Sequence, residues 1–232
     1  SEPVMLAAIG AGDDVDVRVA AARALGRLRS PDALDFLRPM LDDRDEPVRT
    51  ATAEALGYTP GGAAVLLSWL DGAVLPKSFA ARATAQHGAI VAAVFALGHV
   101  GGATEVKPLE ALLDEPWPVG AAAARALGKL GQRGVDGVGS AAHPLLDATG
   151  RFDPRMVDAA AFGVYRVGLG GDPALSIRAL EAAGAAKTGY ARALLLKAAW
   201  EGLPPRVRQQ AFVDGVTDRS PLVRVATLDV AV

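Results

Sequence analysis

The side chains able to do chemistry are few in this sequence, and they are scattered. Three histidines are present, His87, His99 and His143, and no two of them sit at metal-ligand spacing on one helix. No H-E-x-x-H occurs, so a metal site would need ligands converging from several segments. The chain has no cysteine, which excludes a thiolate ligand, a thiol nucleophile and a disulfide framework. No G-x-S-x-G is available to seat a serine nucleophile. The glycine-rich pieces GLGGD (168–172) and GHVGGATE (98–105) lack the Lys-Ser/Thr of a P-loop and follow no strand. They read as interhelical loops. Carboxylates are plentiful but gather in turns, where they stabilise helix starts. The residues therefore point to no catalysis, no cofactor and no metal.

What remains is a scaffold, and the composition suits one. The chain has 232 residues, of which 51% are hydrophobic and only 5% aromatic. Much of the apolar content is alanine, the best helix former and small enough for closely packed helices. The formal net charge of −2 gives no general attraction to nucleic acid or to anionic lipid. No apolar run approaches the ~20 residues of a membrane-spanning helix. The start, SEPVMLAAIG, lacks the basic head of a signal peptide. These signs leave the compartment unassigned, with the cytoplasm as the default.

The organisation shows in a recurring ten-residue phrase: VRVAAARALG at 17–26, VRTATAEALG at 48–57, VGAAAARALG at 119–128 and VRVATLDVAV at 223–232. The glycines of its Leu-Gly endings, Gly26, Gly57, Gly98 and Gly128, lie 31, 41 and 30 residues apart. That period suits stacked helical hairpins. The hairpins are expected at 2–11 with 15–28, within 31–57, at 61–71 with 88–99, 104–113 with 118–130, 138–148 with 154–167, 173–184 with 188–201, and 205–216 with 221–231. Prolines such as Pro31 and Pro47 open helices where a missing N–H is harmless. Gly57 would offer a left-handed C-terminal cap. Trp69 and Trp200 share helical spacing with Leu66 and Leu196 and are expected in the core. The last helix is apolar and unfinished where a terminal repeat should be polar. The natural polypeptide is therefore expected to continue past Val232.

An acidic turn, Val-Arg, a run of alanines and Ala-Leu-Gly recur as DDVDVRVAAARALG (13–26), DRDEPVRTATAEALG (43–57) and DRSPLVRVAT (218–227). This pattern resembles HEAT repeats of the short bacterial, phycobilisome-lyase-like type. The resemblance is strongest in those three stretches and weakest from 134 to 201. It implies an all-α, right-handed α-α superhelix of about six or seven hairpins, in which the second helices line a concave side. It also implies that Asp43 with Arg49, and Asp218 with Arg224, belong to a structural ladder between neighbouring units. Gly120 replaces the arginine opposite Asp114 and interrupts that ladder, through either a bend or close packing. Members of this kind include bilin lyases, alkylpurine DNA glycosylases and di-iron hydroxylases. The His-Glu dipeptides of the last are missing here.

Three groups of residues stand out as candidate partner-binding positions. A basic row, Arg23, Arg27, Arg125, Lys129, Arg166, Arg192 and Lys197, faces the expected groove, interrupted by Glu54 and Glu201. The insertion at 70–88 carries Lys77, Phe79, Arg82 and His87, and loops on rigid scaffolds often carry recognition. Trp117 sits in a stiff Pro-Trp-Pro turn, and tryptophan is a common interface anchor. The expected function is a non-catalytic scaffold for a protein or peptide, one monomeric solenoid over 1–232 within a longer bacterial protein. The alternative is an enzyme working from the groove, of bilin-lyase or DNA-glycosylase type. Nucleic acid is disfavoured by the balanced charge, and no membrane role is expected.

Overall fold

A computed structural model describes the chain over residues 12–74 and 79–231, with side chains over 12–71 and 88–231. Among the described residues there is no strand. Thirteen α-helices follow one another among the described residues: α1 (Val15–Leu28), α2 (Leu34–Met40), α3 (Glu46–Leu56), α4 (Gly62–Val74), α5 (Phe79–Val100), α6 (Val106–Ala111), α7 (Val119–Gln132), α8 (Ala142–Ala148), α9 (Pro154–Val167), α10 (Pro173–Ala185), α11 (Gly189–Ala199), α12 (Pro205–Val216) and α13 (Pro221–Ala231). Short 3-10 turns lead into or out of several of them. The expected helix at 2–11 lies outside the described residues.

The helix starts follow from local chemistry. Asp14, Asp153, Asp172 and Thr188 each cap a helix by accepting a backbone N–H of the first turn, which satisfies a donor that the helix cannot. Prolines stand in the first turn of α3, α9, α10 and α12. One boundary departs from expectation. α5 begins at Phe79 rather than near 88, so the second half of the 70–88 insertion is helix continuing into the repeat.

The chain divides into two compact units, 1–108 and 109–232. In the first, α1 packs on α3 and α3 on α5. In the second, α7 packs on α9, α9 on α11 and α11 on α13. Helices α2, α4, α8, α10 and α12 pair with the second helices of their own hairpins. The motif leucines Leu25, Leu56, Leu97 and Leu127 are fully buried. Within each unit the core is made of leucine and alanine. Trp69 and Trp200 are only half buried, against expectation. The indole N–H of Trp69 reaches the Asp42 carboxylate at 3.1 Å, so a polar edge keeps this ring at the surface.

The motif glycines do not act as left-handed caps. Gly57 has φ −63° and continues the helical conformation, and Gly26 lies inside α1. Their role is close approach. A Cβ on Gly26 would stand 2.7 Å from the Cα and Cβ of Ala55, and one on Gly57 would stand 2.8 Å from the Cβ of Ala96. Gly128 likewise faces the Phe162 ring at 2.8 Å and Gly163 at 3.2 Å. The missing side chain lets the next second helix come in.

Candidate functional site

The charged turns form clips between neighbouring units. Arg18 in α1 sends Nε and Nη2 to the two oxygens of Asp43, at 3.0 and 3.2 Å, and Nη1 to the carbonyls of Gly12 and Asp13. Arg192 in α11 repeats this arrangement. Its Nε and Nη2 hold Asp218 at 3.0 and 2.9 Å, while Nη1 donates to the carbonyls of Ala186 and Lys187. Asp43 and Asp218 thus bridge neighbouring units, each to the arginine of the unit before it. Arg49 and Arg224, six residues after Asp43 and Asp218, donate to those residues' backbone oxygens at 2.7 and 2.8 Å. The carboxylates themselves serve the arginine of the preceding unit. Arg192, expected among the groove residues, is buried inside such a clip, because a two-pronged guanidinium–carboxylate pair satisfies both ions.

At Gly120 the departure from the motif is close packing. A Cβ there would meet the carbonyl oxygen of Glu115 at 2.4 Å. Asp114 is instead held by Arg151.

These clips carry a pH dependence. The Arg192 fork holds the Asp218 carboxyl below its usual range, against partial burial and with help from the Ser220 N–H. At Asp43 burial pushes the pKa up, but the Asp45 N–H and Arg18 outweigh it and hold the group low. A carboxyl depressed on folding adds stability above the unfolded value, roughly 3.9, and loses it as pH falls through the folded value. Asp218→Asn is therefore expected to lower the melting temperature at pH 7. It should also flatten its fall between about pH 5 and 2, as followed by circular dichroism. An unchanged acid limb would show that Asp218 is not coupled to folding.

The remaining basic row lies on the second helices. Arg23 and Arg27 are exposed on α1, Arg125 is exposed and Lys129 half buried on α7, and Arg166 is exposed on α9. The Arg166 guanidinium lies 5.6 Å from the Phe162 ring centroid and 5.4 Å from that of Tyr165. In the second unit this face holds a shallow cavity of about 260 Å³, lined by Tyr165, Tyr190, Leu194, Lys197, Leu222 and Val225. Lys197 pairs there with Asp229 at 2.9 Å. Neither tyrosine was singled out by the repeat motif, because both lie outside its ten residues. Spacing along each helix would have found them, since Tyr190 and Leu194, and Leu222 and Val225, stand three or four residues apart and share a face.

In the first unit a groove of about 540 Å³ runs between α3 and α5, past Glu54, Tyr58, Phe95 and His99. The Phe95 and His99 rings are 5.6 Å apart. A third cavity, of about 230 Å³, opens between α10 and α12. Its walls are mainly aliphatic, and the Arg192 and Asp218 that reach it are bound to each other.

Trp117 is 46% exposed. Arg155 stacks on its face, 3.7 Å from the ring centroid, and is braced by two bonds to Asp153 at 3.1 and 2.8 Å. Lys77 lies outside the described residues. Phe79 and Arg82 fall in α5, but their side chains lie outside the described set, as does that of His87. Among the described residues no group of three His, Cys, Asp or Glu side chains is placed to hold a metal ion. No described helix is long and apolar enough to cross a membrane.

Stacked hairpins, alanine-rich second helices and arginine–aspartate clips define the class: an all-α protein of stacked helical-hairpin repeats. Residues 2–87 match the family model for HEAT repeats. Among solved structures the chain is similar to an engineered protein, with 17% identity and a TM-score of 0.50, covering 99% of this chain and 95% of that one. It is also similar to the complex of CpcE and CpcF of phycocyanin lyase from Nostoc sp. PCC7120, with 22% identity, a TM-score of 0.49 and coverages of 98% and 80%. A designed armadillo repeat protein matches at 13% identity and a TM-score of 0.47, with coverages of 99% and 98%. No curated protein matches the chain.

Proposed function

We propose that the protein is a non-catalytic scaffold that binds a peptide segment of a partner protein along the second-helix face of residues 109–232. The observation that carries this reading is the cavity lined by Tyr165, Tyr190, Leu194, Leu222 and Val225. Tyr190, Leu222 and Val225 are all exposed there. Apolar side chains gathered on a rigid surface without cover mark interaction sites, and tyrosine is a favoured interface anchor. The exposed cations Arg125 and Arg166 on the same helix series suit an acidic flank, so the occupant is a segment with aromatic or aliphatic anchors beside Asp or Glu. The face is shallow, and its one close ion pair, Lys197 with Asp229, is already satisfied. Both features suit recognition better than reaction chemistry.

The test is selection from a random 12-residue peptide library, followed by calorimetric titration of the selected peptides. Apolar–acidic sequences should be enriched. Tyr190→Ser with Leu222→Ser should weaken them at least ~10-fold, that is by about 1.4 kcal/mol, without lowering the melting temperature. Trp117→Ala, on the turn, should likewise cost binding more than stability. Enrichment that ignores the Tyr190 and Leu222 changes would overturn the assignment of the face. So would retention of duplex DNA that weakens steeply with salt, the signature of phosphate binding.

A further inference from the structure

The groove of the first unit has two walls of different chemistry. One wall is a single ridge on α3 and the turn after it: Thr50, Glu54 and Tyr58, four residues apart. The other is a ridge on α5: Val91, Phe95 and His99, also four apart. Side chains at that spacing stand one above another on a helix. The first ridge offers a hydroxyl, a carboxylate and a phenol. The second offers an aliphatic chain, a phenyl ring and an imidazole. The floor between them is small. A Cβ on Gly57 would stand 2.8 Å from that of Ala96, and one on Gly88 would stand 3.2 Å from the Thr50 hydroxyl oxygen. These close approaches set the two ridges face to face across about 540 Å³.

The charge of this groove is one-sided. Glu54 is exposed and makes no ion pair or side-chain hydrogen bond among the described residues. No Lys or Arg stands among the described residues that line the groove. Arg23 follows Arg18 by five residues, as Glu54 follows Arg49, yet the two do not pair. At the same position of α11 and α13, Lys197 and Asp229 do pair, at 2.9 Å. The rings beside Glu54 are also open to water, Tyr58 at 56% and Phe95 at 39% exposure. Aromatic faces carry the negative end of a quadrupole, so rings and carboxylate favour the same occupant, a cation. A guanidinium suits them better than an ammonium. It is flat, so one face can lie on a ring while its edge donors reach a carboxylate. The second unit makes this arrangement with its own residues. Arg155 lies 3.7 Å from the centroid of Trp117 and donates to Asp153 at 3.1 and 2.8 Å.

We propose that the groove between α3 and α5 receives an arginine side chain of a partner protein. Its guanidinium lies on the Phe95 ring and donates across the groove to Glu54. This occupant is opposite in charge to the apolar–acidic segment assigned to the Tyr190 face, and it belongs to the other unit.

Titration of the isotope-labelled protein with an acetylated and amidated Gly-Ala-Arg-Ala-Gly peptide, followed by NMR, tests this. The amide signals of Glu54, Tyr58, Phe95 and His99 should shift and saturate. Citrulline in place of the arginine keeps the shape without the charge, and should weaken binding at least ~10-fold. Lysine in its place should bind more weakly than arginine. Glu54→Gln should cost at least ~10-fold and Phe95→Ala about 3–10-fold. Both residues are exposed, so neither change should lower the melting temperature, and the near-isosteric Glu54→Gln reads the charge alone. No saturable shift up to ~10 mM peptide overturns the proposal. So does equal binding of the citrulline or lysine peptide, or an affinity that ignores Glu54→Gln. Self-association of the protein that Phe95→Ala abolishes would make a second copy the occupant, and would overturn it as well. Acidic peptides report on Tyr190 and Leu222 and the arginine peptide on Glu54 and Phe95, so the two readings can fail separately.

Discussion

Leu56→Ala is expected to lower the unfolding free energy by about 2–5 kcal/mol, read as a shift of the denaturant midpoint with an unchanged slope. Leu56 is fully buried near the end of α3, a helix that packs on both α1 and α5. Truncation there removes apolar contacts and leaves a cavity that three stacked helices close only in part. The penalty should belong at the upper end of the range if neighbouring second helices are as rigid as their close approach implies. A loss below about 1 kcal/mol would mean that the stack collapses around the vacancy, and that the leucine spine is less constrained than its burial indicates.

The second large effect reverses an ordinary rule. Replacing a mid-helix glycine with alanine normally stabilises a protein by roughly 0.5–1 kcal/mol, because glycine loses more backbone freedom on folding. Gly26→Ala should instead destabilise by about 1–3 kcal/mol. The added carbon would stand 2.7 Å from the Cα of Ala55. That atom is backbone, so α3 as a whole must move for it to fit. Gly184, in α10, is the internal control: nothing lies within 4 Å of a Cβ there. Gly184→Ala should show the normal gain of roughly 0.5–1 kcal/mol. Opposite signs at the two sites, measured by chemical denaturation, would establish close approach as the reason for the motif glycine. Matching signs would return that glycine to a matter of propensity alone.

These contrasts show what was legible before the structure. Helix bounds such as 15–28, 154–167, 205–216 and 221–231 agree with the structure, because Asp and Pro at helix starts act locally. The α5 start at Phe79 is hidden, since the alignment of Ala-Leu-Gly motifs marks only the repeat's own length and not the extra turns that precede it. The glycine was misread because a chain ending its motif in Leu-Gly looks the same whether that glycine caps a turn or admits a neighbouring helix. The partners Arg18 and Arg192 of the expected ladder aspartates are hidden for a related reason. A spacing of six residues is visible along one unit, but the bond crosses to the next unit and depends on the stacking distance. Tyr165 and Tyr190 became candidates only when adjoining helices placed them on one cavity.

The unclipped junctions after α7 and α9 have a consequence for how such a chain can be remade. Neither junction has a buried arginine fork; the pairs that bridge them are Arg151 with Asp114 after α7 and the Thr188 hydroxyl with Asp158 after α9. A hairpin can be spliced in or cut out there so long as those pairs are kept and small apolar residues meet. Between α11 and α13 the same surgery would strand a guanidinium in the interior. The recombination points of this protein are thus the places where no buried guanidinium crosses from one unit to the next.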